Sequence, residues 1–107
     1  MIKASFSRDE DGTLRDVTLT GHAGSGEYGF DIVCAAVSAL AINFINSLEA
    51  LTQTQADVTM DAVEGGYMRV SVPHDTSKNG QLLFESFLLG MTNMSENASE
   101  FVQTTVI

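Results

Sequence analysis

A chain of 107 residues, 44% apolar and 18% charged, can bury one core and is too hydrophobic to stay disordered, so residues 1–107 are expected to form a single domain. A net charge of -9, from 14 acidic against 5 basic side chains, repels a phosphate backbone, so the expected charged partner is a basic protein or peptide rather than nucleic acid. One cysteine excludes an internal disulfide, and the opening MIKASFSRDEDG has no apolar signal core, which together point to a reduced thiol in the cytoplasm.

In chain order, Ile2, Ala4 and Phe6 alternate with polar residues, Asp9-Glu10-Asp11-Gly12 supplies a turn, and Thr13 to Thr20 is a second extended run. This predicts an antiparallel hairpin. From Asp31 the period becomes helical. Val33, Val37, Leu40, Ala41, Phe44, Leu48 and Leu51 share one face, and Ile32, Ala35, Ala39, Ile42 and Ile45 cover much of the other. A helix apolar nearly all round needs a second helix or a second subunit besides the sheet, so a homodimer is expected. The apolar run from Ile32 to Ile42 is shorter than the roughly 20 residues of a spanning helix, and no membrane role is expected.

Val58, Met60 and Ala62 then alternate with polar residues, and after Glu64-Gly65-Gly66 so do Met68, Val70 and Val72, which predicts a second hairpin stopped by Pro73. A second helix is expected from about Gly80 to Asn97, with Gly90 admitting another backbone, after a turn through His74 that ends in a cap at Asp75 or Thr76. Thr104-Thr105-Val106-Ile107 can add a last strand. The fold class is therefore α+β. It is a two-layer sandwich of a mostly antiparallel sheet with both helices on one face, in the order strand-strand-helix-strand-strand-helix-strand.

The stretch Gly21 to Leu40, GHAGSGEYGFDIVCAAVSAL, carries the chemistry. Gly24-Ser25-Gly26-Glu27-Tyr28-Gly29 matches the GxGxxG spacing of dinucleotide turns. A pyrophosphate there would meet the carboxylates of Glu27 and Asp31, with no lysine or arginine between Arg15 and Arg69, and a hairpin strand does not lead into a parallel βαβ unit. A second possibility pairs His22, at the end of the second strand, with Cys34 in the first turn of a helix beginning near Asp31. There the helix dipole, unbonded N–H groups and a nearby imidazolium would favour a thiolate, with Asp31 as the helix cap. Gly24, Gly26 and Gly29 would let the intervening loop admit an extended peptide and close over it. Tyr28, Phe30 and Ile32 would line a cleft there. The alternative is plain packing: glycines for a tight crossing, Cys34 as a small core residue and His22 as a solvated turn residue. His74-Asp75 offers another base for Cys34. One cysteine and two separated histidines have no recognised ligand spacing, so neither a metal nor a cofactor is expected.

Gly21-His22-Ala23-Gly24, Glu27-Tyr28-Gly29 and Asp31 through Leu40 resemble the signature of the bacterial ribosomal-processing cysteine protease family, and the likeness extends along essentially the whole chain. The resemblance implies that His22 and Cys34 form the dyad of an endopeptidase that removes the N-terminal extension of a basic large-subunit ribosomal protein. It also implies homodimers, no metal and a phenylalanine-rich cleavage motif. Asp31 and Ser38 match further positions near the family's site, and Gly21, Gly24, Gly26, Tyr28 and Gly29 lie in the same segment as substrate-binding or supporting residues. The non-enzymatic alternative is an acidic dimer that binds a ribosomal protein or an assembling ribosome, with Cys34 inert.

Overall fold

The computed structural model describes residues 1–21, 28–61 and 66–107, with the backbone alone described at 28–31. The elements are β1 (Ile2–Arg8), β2 (Leu14–Thr20), α1 (Tyr28–Thr52), β3 (Asp57–Met60), β4 (Tyr67–Ser71), α2 (Lys78–Asn97) and β5 (Val102–Val106), in the expected order. Ile2, Ala4 and Phe6 of β1 are buried while Lys3 between them is exposed, so period-two patterning sets which face meets the core. In the turn that follows, Gly12 has φ +88° and donates to the Asp9 carbonyl at 2.9 Å, and the Asp11 carboxylate accepts from the Thr13 amide and hydroxyl. A bulge at Ser7/Arg8 pairs Arg8 with Leu14 and leaves Arg15 as the extra residue. It lets Leu14 and Val17, three positions apart, both face inward, which unbroken alternation would forbid.

The sheet order is β3-β4-β2-β1-β5. All neighbours are antiparallel except β1 and β5, which run parallel. Contrary to expectation, β2 and β3 are each antiparallel to β4 and so run parallel to one another, which makes β2–α1–β3 a split βαβ unit with β4 between its strands; the objection to a dinucleotide therefore rests on the acidic Glu27 and Asp31 and the lack of a nearby lysine or arginine in the sequence, not on topology. Both helices cover one face. Phe6 of the sheet, Phe44 of α1 and Phe84 and Phe87 of α2 form one aromatic cluster, with ring centroids 4.7 Å apart for the stacked Phe44–Phe87 pair and 4.8 Å for Phe44–Phe84. Lys3, Ser5, Thr18, Arg69 and Thr105 fall on the opposite parity.

Several expected boundaries shift. The first helix starts at Tyr28 rather than Asp31 and spans 25 residues, about 38 Å, against about 23 Å for a seven-residue strand. Its far end outruns the sheet, so Leu51, expected on the buried face, is 69% exposed. The segment Ile32–Thr52 is long and apolar enough to cross a membrane by length and composition, although Val33, Val37, Ala41, Phe44 and Leu48 commit one side of it to the core. The second helix starts at Lys78 with Ser77 as its cap, accepting the Gly80 N–H at 3.1 Å; Thr76, an expected cap, instead bonds the Pro73 carbonyl. Gly90 faces the Leu40 side chain, where an added Cβ would sit 3.5 Å from both terminal methyls. In β3, Val58 and Met60 are exposed rather than buried, because the strand lies at the sheet edge, and Ala62, Glu64 and Gly65 lie outside the described residues.

The β1–β2 turn is tied to α2 by the two-pronged pair of Arg8 with Glu85, at 2.7 and 2.9 Å. The hydrogen bonds from Arg8 hold the Glu85 carboxyl below its usual value. A depressed folded-state value means that the stabilisation is present at neutral pH and is lost as the pH falls through that value. Glu85 is partly exposed, so the contribution is under about 1 kcal/mol. Glu85→Gln should lower the melting temperature at about pH 7 by up to about 5 °C, an effect that shrinks as the pH falls through the lowered Glu85 value, as followed by circular dichroism.

Candidate active site

At the end of the sheet where β1 begins and β2 finishes lies a cavity of about 370 Å³. Cys34, Val37, Ser38 and Ala41 form one of its walls, spaced i, i+3, i+4 and i+7 along one stripe of α1. Ile2 and Leu19 supply the sheet side, and Met60, Asp61, Gly66, Tyr67 and Met68 close the β3–β4 end. Val37 and Ala41 are buried, Cys34 is half-buried and Ser38 is exposed. The thiol therefore belongs to a wall that a ligand can reach, which the inert-packing reading of Cys34 does not anticipate.

Gly21 marks the cavity's edge. Its φ is +93°, its N–H donates to the Gly66 carbonyl at 2.9 Å, and a Cβ built there would collide with the carbonyl oxygen of Met1. Only glycine meets both the left-handed backbone and the close approach. Gly21→Ala should cost at least about 1 kcal/mol and, by displacing the chain beside the cavity, lower kcat/KM for peptide cleavage by about 100-fold. Gly12→Ala is the control: its φ is similarly positive at +88°, but nothing lies within 4 Å of the added methyl, so it should lower stability and spare kcat/KM.

The structure thus brings Gly21, Cys34 and Ser38 to one cavity. His22, Gly24 and Gly26 lie outside the described residues, and Tyr28, Gly29 and Asp31 are placed by backbone alone in the first turn of α1. Two expectations change with that helix start. Asp31 lies inside the helix rather than at its cap, and Cys34 occupies the second turn, so the unbonded N–H groups belong to residues before Ile32. The dipole's influence fades within the first turn, which leaves a local cation as the main means of ionising the sulfur.

Ile32, expected in the cleft, is 54% exposed and does not line it. Two positions from Cys34 is about 200° around a helix, so the two side chains cannot share a wall. His74 is also removed from the site. Its Nδ1 lies 3.1 Å from Asp9 at the opposite end of the β1–β2 ladder, about 20 Å from Gly21 along the strand. Among the described residues no three His, Cys, Asp or Glu side chains cluster as metal ligands.

The lining from Ile2, Leu19, Met60, Asp61, Tyr67 and Met68 was not anticipated from sequence. Met60, Asp61, Tyr67 and Met68 join Cys34 at the cavity only because β4 pairs with β2, with Tyr67 opposite Thr20 and Met68 opposite Leu19, a neighbour choice that alternation within each strand does not encode.

Comparison with known proteins joins this geometry to a family. A family model described as cysteine protease Prp matches residues 1–103. The ribosomal processing cysteine protease Prp of Staphylococcus aureus (strain Mu50 / ATCC 700699) is 30% identical over 103 residues, covering 96% of each chain. Among solved structures, SMU.848 from Streptococcus mutans is 52% identical with a TM-score of 0.92, covering 100% of this chain and 94% of that one. The essential ribosomal processing protease Prp from S. aureus, in complex with a covalently linked product peptide, is 29% identical with a TM-score of 0.90 and full coverage of both chains. With the match running from β1 into β5 and the lone cysteine on the wall of an open cavity, this chain belongs to the cysteine protease Prp family and is a cysteine protease.

Proposed function

We propose that the chain is an endopeptidase that removes the N-terminal extension of a basic large-subunit ribosomal protein, with Cys34 as nucleophile and His22 as its base. The observation that carries this reading is the half-buried Cys34 on the wall of a cavity whose edge is Gly21, the residue directly before His22 in sequence. The imidazole takes the thiol proton, and the thiolate attacks the scissile carbonyl. The imidazolium protonates the departing amine as the C–N bond breaks, leaving a thioester. Water, deprotonated by His22, then hydrolyses the thioester and restores the thiol. Ser38, one turn beyond Cys34 on the cavity wall, would hydrogen-bond the peptide.

The ribosomal substrate is supported by the names of the relatives and by the chain's net charge of -9, which attracts a basic partner. The lining by Ile2, Leu19, Val37, Ala41 and Met68 suits an apolar side chain beside the cut. Mass spectrometry of a synthetic peptide spanning the junction of extension and mature protein, incubated with the enzyme, should show two fragments joined at one bond. An intact peptide would sink this reading in favour of a non-catalytic binder.

The assembly we assign is a homodimer acting in the cytoplasm. Ile32, Ile42 and Leu51 on α1 and Leu82 and Leu89 on α2 are each more than half exposed, more apolar helix surface than a monomer of this size ordinarily presents. Light scattering at micromolar concentration should return twice the 11.5 kDa chain mass.

A further inference from the structure

β3 lies at one end of the sheet and pairs only with β4. The Asp61 N–H donates to the Tyr67 carbonyl, and the register runs Met60–Met68, Thr59–Arg69, Val58–Val70. In an antiparallel ladder hydrogen-bonded and non-bonded pairs alternate, so Asp61, Thr59 and Asp57 spend their main-chain groups on β4, whereas Val58 and Met60 turn theirs outward. The other side of β4 agrees: the Val72 N–H donates to Arg15 of β2, which assigns Val72, Val70 and Met68 to β2 and leaves Ser71, Arg69 and Tyr67 for β3. Among the described residues, the outward N–H and C=O groups of Val58 and Met60 have no strand beside them.

Met60 has a second role. Its main chain faces the open edge, while the residue lines the cavity that holds Cys34. A polypeptide laid along this edge would therefore pass the cavity that holds Cys34. Asp57 and Asp61 bracket the strand and no lysine or arginine lies within it, so the edge carries negative charge. β5, the opposite end of the sheet, contributes nothing to the cavity.

We infer that β3 is the docking edge for an extended, basic segment of the substrate, which adds to the sheet as a sixth strand and brings its scissile bond to Cys34. A protease must hold its substrate extended. An exposed edge does so through main-chain hydrogen bonds that tolerate sequence variation, leaving selectivity to the cavity. This inference rests on the protease reading, and its test separates the two.

The test uses full-length Cys34→Ala protein and the synthetic junction peptide. Amide hydrogen exchange should slow at Val58 and Met60 when peptide is added, while Thr59, already bonded to β4, should not change. Val58→Pro in the same background removes one outward N–H without touching the ladder, and should raise the peptide Kd about tenfold. Unchanged exchange at Val58 and Met60 under saturating peptide, or no binding at all, overturns the docking edge. Protection at both amides with a peptide that the unmutated enzyme leaves uncut keeps the edge and overturns the protease reading.

Discussion

Cys34→Ala and His22→Ala are each expected to lower kcat/KM for the junction peptide by about 10⁴-fold or more, with melting temperatures close to that of the unmutated protein. Removing the sulfur removes the thioester. In the proposed mechanism, removing the imidazole removes the base, the acid for the leaving amine and the charge that ionises the thiol. An unperturbed thiol is only a few per cent ionised near neutral pH. Because Cys34 sits in the second turn of α1, the helix contributes little to ionisation, and the proposed mechanism then relies on the histidine. The unmutated protein should therefore react with iodoacetamide below pH 7 and His22→Ala should not, as read by mass spectrometry. Alkylation at equal rates in both proteins would remove His22 from the mechanism. The two substitutions should not be additive, since each disables the same step.

The largest effect on stability is expected at Phe44. Its ring is 3% exposed, stacks on Phe87 at an interplanar angle of 8° and touches Phe84, so it joins the two helices above Phe6 of the sheet. Phe44→Ala leaves a void that three other rings cannot fill without leaving their rotamers, and should cost about 3 to 5 kcal/mol. Domains of this size hold about 5 to 15 kcal/mol in total. The melting temperature should fall by more than about 12 °C, with urea midpoints moving in step. Phe44→Leu, which keeps most of the volume, should recover over half of the loss.

Element order was legible because each segment has its own period: two in Ile2-Ala4-Phe6 and Met68-Val70-Val72, and helical through Val33, Val37, Phe44 and Leu48. The start of α1 was less legible. Tyr28, Gly29 and Phe30 are weak helix formers, so the pattern suggested Asp31 and placed the cysteine one turn too early. The bulge at Arg8 and the insertion of β2 between β1 and β4 are tertiary choices, invisible to alternation. The cavity inherits that blindness. Cys34 and Ser38 follow from helical spacing, but Ile2, Leu19 and Met60 reach them only once the strands are ordered. Ile32 shows the converse error, since closeness in sequence to Cys34 is not closeness around the helix.

A parallel pairing joins β5 to β1. β5 pairs with β1 from Ile2–Val102 to Phe6–Val106, and the Ile2 N–H donates to the Phe101 carbonyl. Ile2 is also part of the cavity wall beside the thiol. Detaching β5 would consequently leave one side of β1 unpaired beside the cavity that holds Cys34. Fraying of β5 would thus loosen one cavity wall from behind, so the tightness of the sheet's far edge is coupled to the shape of the pocket at Cys34.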